Sequence, residues 1–138
     1  NFIGNVTDTA VAAASIIFGG VFQEFPGLKI YLAHGGGSCP YIRGRWDHGW
    51  QAHETGSKIT KPPSEYMRLF YFDALTHSAQ TLQYLVESFG HDKGMLGSDY
   101  PFDMGDIDQV GHISGVDFLT DAQKEDVMGE TAAKLFKI

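Results

Sequence analysis

The sequence LKIYLAHGGG occupies residues 28–37 and decides how the rest of the chain is interpreted. Residues 28–33 are mostly apolar, with β-branched and aromatic side chains, and predict a buried strand. The three glycines after His34 leave backbone N–H groups unshielded, so a ligand oxygen can approach them closely. A histidine at the end of a strand can act as a general acid, a general base or a metal ligand. The alternative is a flexible turn in which His34 hydrogen-bonds a local backbone group.

Two further stretches each combine a short strand with an aspartate. LFYFD at residues 69–73 ends in Asp73, and MLGSDYPF at residues 95–102 carries Asp99 in the turn that leaves the strand. An aspartate in that position is a good ligand for a divalent metal and a good orienter of water. The alternative for Asp99 is an Asx-type turn, in which its carboxylate caps its own backbone.

Helical segments separate these strands. Apolar residues recur with helical period and predict four helices, at residues 9–25, 40–53, 79–89 and 120–136. Ser78 caps the third helix, and Thr120 with Gln123 forms a capping box that opens the last one. Residues 103–114 leave room for a further short helix, and residues 55–64 predict a polar surface loop. Helices that alternate with strands predict an α/β fold with parallel strands and right-handed crossovers.

The carboxyl ends of parallel strands meet at one edge of a sheet, and the chemistry of such folds collects there. His34, Asp73 with the nearby His77, and Asp99 each follow or end a predicted strand. We therefore expect these ionisable side chains to lie at the same edge, and they are the first candidates for a functional site.

Two arginines lie about one helical turn or more beyond the glycines. Arg43 and Arg45 flank Gly44 and precede Trp46. A guanidinium group is suited to bidentate capture of a substrate carboxylate. The alternative is an ordinary surface arginine with no specific partner.

The composition excludes several classes of protein. The 138 residues are 43% apolar, enough for one domain with its own core. The net charge of −7 opposes binding to nucleic acid. No apolar run reaches the roughly 20 residues of a membrane span. The single cysteine, Cys39, excludes an internal disulfide, and no signal peptide is visible, so we expect a cytoplasmic protein.

Several motifs are shared with a known group of enzymes. The two specific ones are HGGG at residues 34–37 and GSDYPF at residues 97–102, supported by IFGGV at residues 17–21. They resemble the decarboxylase branch of the amidohydrolase superfamily, the group that contains aminocarboxymuconate semialdehyde decarboxylase. The similarity extends from Gly4 to Phe136.

This resemblance implies a (β/α)8 barrel with one divalent metal ion, usually zinc, at the carboxyl ends of the strands. It implies that His34 orients or deprotonates a metal-bound water and that Asp99 ligates the metal from the last strand. It also implies that Arg45 reaches the site of a neighbouring subunit and holds the carboxylate of the substrate. A small carboxylic acid as substrate and a homodimer or higher oligomer are the expected partners.

The sequence departs from that family in its metal ligands. The family's site needs a His-x-His pair on the first strand and another histidine on the fifth, whereas no histidine precedes His34. Counted back from Asp99, the three strands correspond to the eighth, seventh and sixth of a barrel that typically takes roughly 250 residues. We expect residues 1–138 to be a single partial domain, the C-terminal portion of a longer enzyme, and to be inactive alone.

Three functions remain open at this point. The first is a metal-dependent decarboxylase of an unsaturated or aromatic carboxylic acid, in which water activated by the metal and His34 hydrates or protonates the substrate carbon before carbon dioxide leaves. The second keeps the barrel and the metal but assigns hydrolysis of an ester, lactone or amide. The third is a non-catalytic half-barrel that associates with a partner chain.

Overall fold

Three short parallel strands lie at the centre of the fold. The computed structural model describes residues 1–53 and 58–138. Within them, β1 (Ile30–Leu32), β2 (Phe70–Asp73) and β3 (Gly94–Met95) form one sheet in the order β1-β2-β3. Both neighbours pair with β2 in parallel register, and Phe72 pairs with Leu32 on one side and with Gly94 on the other. The predicted parallel α/β sheet is confirmed, although each strand is shorter than its apolar run.

Helices surround and connect these strands. The α-helices in the described residues are α1 (Gly4–Phe18), α2 (Val21–Glu24), α3 (Cys39–Ala52), α4 (Pro63–Met67), α5 (Ala79–Phe89), α6 (Gln109–Ser114), α7 (Asp121–Glu125) and α8 (Thr131–Phe136). Single 3-10 turns follow β1 at His34–Gly36 and precede β3 at His91–Lys93. A π-helical segment, Asp126–Glu130, joins α7 to α8, so the last helical region is continuous.

The first predicted helix has the wrong bounds. Helix α1 begins five residues before position 9 and stops at Phe18, and the separate α2 follows. The interruption is at Gly20, whose φ of 75° is a left-handed conformation that cannot continue an α-helix. As a result Phe25, placed on the apolar stripe by its spacing, lies outside both helices and is 54% exposed.

The other helical predictions agree better with the structure. Helix α3 forms in spite of its two glycines, and the Ser78 hydroxyl accepts a hydrogen bond from the Thr81 N–H at the start of α5. The capping box of Thr120 and Gln123 is formed at α7. Residues 55–57 of the predicted polar loop lie outside the described residues, and Pro63 opens the short α4, which the loop prediction missed.

The helices pack against the face of the sheet that carries Phe70 and Phe72. Phe70 and Phe72 of β2 are fully buried and contact Phe22 and Phe89, with ring centroids 5.0 and 4.7 Å apart. A second apolar cluster joins α5, α6 and the π-helical segment; it contains Ala74, Leu82, Ile113, Val116, Leu119 and Val127. The register places Tyr31 beside Tyr71, and Tyr31 remains 41% exposed. None of the helices in the described part of the chain has the length and apolar character required to cross a bilayer.

The glycines after β1 give a direct test of this packing. Gly36 has a φ of 80°, and a Cβ atom there would lie 2.7 Å from a ring carbon of Phe72. We expect Gly36→Ala to lower the free energy of unfolding by about 3 kcal/mol, through backbone strain and overpacking, in urea denaturation. The matched control is Gly44→Ala in α3, where nothing lies within 4 Å, and we expect a gain of about 1 kcal/mol. Equal effects of the two substitutions would contradict this account.

Candidate functional site

The residues that follow the three strands share an unusual backbone conformation. His34, His77 and Asp99 have φ values of 56°, 53° and 54°. Positive φ is uncommon outside glycine and costs energy, and it is typical of functional sites. In the described ranges the remaining non-glycine residue of this kind is Lys137, at the end of the last helix. The strain is therefore concentrated at the carboxyl edge of the sheet.

His34 begins a tight turn that leaves part of its imidazole without a partner. The Gly37 N–H donates to the His34 carbonyl oxygen at 2.9 Å, and the Gly36 N–H donates to the Ala33 carbonyl at 3.0 Å. The Nδ1 atom of His34 is buried and has no hydrogen-bond partner in residues 1–53 and 58–138. The alternative was a flexible turn in which His34 hydrogen-bonds a local backbone group. The unpartnered Nδ1 atom does not support it.

The turn around Asp99 is held by backbone groups. The Phe102 N–H donates to the Asp99 carbonyl oxygen at 2.9 Å, and the Asp106 N–H donates to the Ser98 carbonyl at 2.9 Å. The Ser98 hydroxyl in this turn accepts a hydrogen bond from the Tyr100 N–H at 3.4 Å. These bonds form the turn without the Asp99 carboxylate, so the Asx-turn alternative does not account for it.

Asp73 lies at the end of the central strand and is 6% exposed. Its carboxylate accepts a hydrogen bond from the Leu75 N–H at 2.7 Å. Burial raises the pKa of Asp73, while the Leu75 N–H, the His34 imidazole and the Tyr31 hydroxyl lower it and the charge of Asp99 raises it further. The sequence pattern placed Asp73 at this edge but assigned it no role, because its contacts depend on how the strands pair.

One cavity of about 770 Å³ joins these strand ends. Its polar lining includes His34, His77 and Asp99. Its apolar and aromatic lining consists of Leu75, Tyr41, Tyr84, Phe102 and Met104, with Val6, Ala33, Pro40 and Leu85. A mostly apolar cavity with a few polar groups at one side is typical of a small-molecule site.

The two arginines have different surroundings. The Arg43 guanidinium lies 5.6 Å from the centre of the Phe89 ring and donates to the Ser88 carbonyl at 3.5 Å, so it packs α3 against α5. Arg45 is exposed on α3 and does not line the cavity. Its expected role at the site of a neighbouring subunit therefore stays a prediction.

Cys39 is buried and shows no sign of reactivity. Its Sγ atom donates to the Gly36 carbonyl at 2.7 Å, and burial raises the pKa of the thiol to about 12. The thiolate is the reactive form of cysteine, so this residue is structural.

Comparison with known proteins identifies the family of this chain. The sequence model of the family described as Amidohydrolase matches residues 3–138. The chain belongs to the amidohydrolase family. This membership confirms the resemblance carried by the two motifs at residues 34–37 and 97–102.

Several relatives in this amidohydrolase family are named as decarboxylases. The chain is 39% identical over 132 residues to the 2-amino-3-carboxymuconate-6-semialdehyde decarboxylase of Dictyostelium discoideum, an alignment that covers 94% of this chain and 37% of that protein. The structure of 5-carboxyvanillate decarboxylase from Sphingomonas paucimobilis matches with a TM-score of 0.84 and 32% identity over 96% of this chain and 41% of that one. A dihydroxybenzoic acid decarboxylase from Polaromonas, with bound manganese and the inhibitor 2-nitroresorcinol, matches with a TM-score of 0.84 and 26% identity over 96% of this chain and 40% of that one.

The chain thus spans about two fifths of the length of these relatives. Its three parallel strands and their helices form part of a (β/α)8 barrel, as predicted. The carboxyl edge that carries His34 and Asp99 is the edge at which such barrels place their active sites.

The metal-binding side chains in residues 1–53 and 58–138 are too few for a complete metal site. Over the part of the chain that the structure describes, no three side chains of His, Cys, Asp or Glu come close enough together to hold a metal ion. A catalytic zinc normally needs three protein ligands. Asp99 and His34 can therefore supply only part of a metal site.

Asp73 makes the stability of the chain depend on pH. Because folding raises its pKa above 3.8, the folded protein keeps a proton that the unfolded chain has already lost. The wild-type chain therefore loses stability as pH rises from that value through the raised pKa, whereas Asp73→Asn does not titrate. We expect the unfolding free energy of the variant, minus that of the wild type, to increase between about pH 4 and about pH 8. Urea denaturation at both pH values measures the difference, and a constant difference would contradict the assignment.

Proposed function

We propose that the full-length protein is a metal-dependent decarboxylase of an unsaturated or aromatic carboxylic acid. We also propose that residues 1–138 are a single partial domain, the C-terminal portion of its barrel, and are inactive alone. The observation that carries the proposal is the convergence of His34 and Asp99 on one cavity lined by aromatic side chains. The decarboxylases named above support the reaction class.

The cavity supports the substrate class. Tyr41, Tyr84 and Phe102 offer flat apolar surfaces to a ring or a conjugated chain. His34 and Asp99 add polar groups to the same lining. A substrate of this kind would place its unsaturated carbon skeleton against the aromatic side chains and its reacting carbon towards the strand ends.

We assign a role to each site residue. The His34 imidazole, whose Nδ1 has no hydrogen-bond partner among the described residues, transfers the proton that the substrate carbon needs when carbon dioxide leaves. Asp99 is one ligand of the metal, and the remaining ligands come from parts of the protein outside residues 1–138. Arg45, exposed on α3, holds a substrate carboxylate in the site of a neighbouring subunit, which makes the enzyme a homodimer or higher oligomer.

The metal and the compartment complete the proposal. The manganese in the Polaromonas enzyme supports a divalent metal ion, and we propose zinc as its specific identity here. The single buried thiol of Cys39 supports a cytoplasmic protein, because it needs no oxidising compartment.

An activity assay tests the assigned reaction. Full-length protein supplied with zinc or manganese is incubated with a panel of aromatic and unsaturated carboxylic acids, and carbon dioxide release is measured. We expect His34→Ala and Asp99→Ala each to lower kcat/KM by about 100-fold or more, because His34 transfers the proton and Asp99 helps to hold the metal. His48→Ala, on the exposed side of α3, is the matched control and should retain full activity.

Two other results would change the conclusion. Hydrolysis of esters, lactones or amides without carbon dioxide release would favour the hydrolase alternative. A full-length protein inactive on all of these compounds would favour an association module.

Metal analysis tests the assignment of Asp99. We expect about one metal ion per full-length chain by elemental analysis, a large loss in Asp99→Ala, and no stoichiometric metal in residues 1–138 alone, because one or two ligands bind weakly. Stoichiometric metal in residues 1–138 that disappears in Asp99→Ala would show that this part builds a site by itself, and the partial-domain proposal would be wrong. Zinc in the protein purified without added metal would support zinc over manganese.

A further inference from the structure

We propose that Asp73 is a positioning residue of this site, whose buried carboxylate ties the three strand ends together and orients the groups above them. This inference rests on the proposed function, because it assigns Asp73 to the same reaction. It adds a residue that acts through His34 and Asp99 and does not itself line the cavity.

The contacts of Asp73 reach all three strands. The residue ends β2, and its carboxylate accepts the Leu75 N–H of the following turn at 2.7 Å. Towards β1, the Tyr31 hydroxyl interacts with the carboxylate and lowers its pKa. Towards β3, both carboxylate oxygens lie against Gly97, where a Cβ atom would be 2.8 Å from each of them. Gly97 starts the turn that carries Asp99, so the lack of a side chain at Gly97 is what allows the carboxylate to lie there.

The charge of Asp73 acts on both site residues. It interacts favourably with the His34 imidazole and unfavourably with the Asp99 carboxylate. When ionised, the Asp73 carboxylate therefore acts on both site residues from a position that the Leu75 N–H fixes and that is 6% exposed. In a poorly solvated site such a charge acts more strongly than at the surface.

Stability alone does not explain a carboxylate at this position. Burial raises the pKa of Asp73, so its hydrogen bonds and its attraction to His34 do not fully offset the loss of hydration. A buried ionised group of this kind is often replaced by a neutral one without loss of stability. Residues that cost stability are expected at functional sites.

The test uses the full-length protein and three substitutions. Asp73→Asn keeps the shape and an oxygen for the Leu75 N–H but removes the ionisable carboxyl, and Tyr31→Phe removes the hydroxyl that interacts with it. Asp92→Asn is the control, because Asp92 is an exposed aspartate in the 3-10 turn before β3, at the opposite end of that strand. For each variant kcat, KM and the urea midpoint are measured.

We expect Asp73→Asn to lower kcat by about 10- to 100-fold, as other supporting residues of active sites do, with KM changed by about twofold or less. Its urea midpoint should equal or exceed that of the wild type. Tyr31→Phe should lower kcat less, and the effects should not add in the double variant, because Tyr31 acts through Asp73. An unchanged kcat in Asp73→Asn, or a loss of kcat matched by a loss of folded protein, would overturn the proposal.

A spectroscopic readout separates this proposal from the proposed reaction. In protein labelled with ¹⁵N-histidine, with His34 assigned by His34→Gln, the ring nitrogen resonances of His34 should move in Asp73→Asn and stay in place in Asp92→Asn. If the wild-type enzyme releases no carbon dioxide from any acid, the proposed function fails, and the His34 resonances still decide the role of Asp73. His34 resonances that are the same in all variants would refute the positioning role of Asp73.

Discussion

Parallel pairing of β2 with both of its neighbours is the constraint on which the rest of the structure depends. It brings the carboxyl ends of three strands to one edge, although the residues concerned are up to 65 positions apart in sequence, from His34 to Asp99. The pairing is stabilised by Phe70 and Phe72, which are fully buried under the helices on one face. Any change that shifts β2 would therefore disturb the core and the candidate site together.

The cost of this arrangement is concentrated where the chain leaves the strands. His34, His77 and Asp99 adopt left-handed backbone conformations, and Asp73 is a buried carboxylate with a raised pKa. Glycines make the edge possible, because Gly36 and Gly97 let a Phe72 ring and the Asp73 carboxylate approach closer than any side chain would permit. Strain and desolvation at one edge, next to a well-packed core, are what a functional site of a barrel leads one to expect.

The two faces of the sheet differ in the way expected of part of a barrel, and the chain spans about two fifths of its relatives' length. One face carries the aromatic core, whereas the other exposes part of Tyr31 and places Lys93 over the Tyr71 ring at 4.7 Å. In a closed barrel that second face is the interior, which the remaining strands surround. Because the chain forms only part of the barrel, it contains Asp99 and His34, but three metal ligands do not gather in the described residues.

The sequence by itself determined the α/β class, the three strands, the capped helix α5 and the strand-end candidates His34 and Asp99, because these follow from local periodicity and from glycine and proline chemistry. Tertiary structure decided the break at Gly20, the packing of Arg43 on Phe89, and the contacts of Asp73 with Tyr31 and Gly97. Those features depend on which residues meet across paired strands and packed helices. The local sequence pattern specifies a helix or strand and its ends. The electrostatic field around a buried side chain, and its neighbours, arise only when distant segments are brought together.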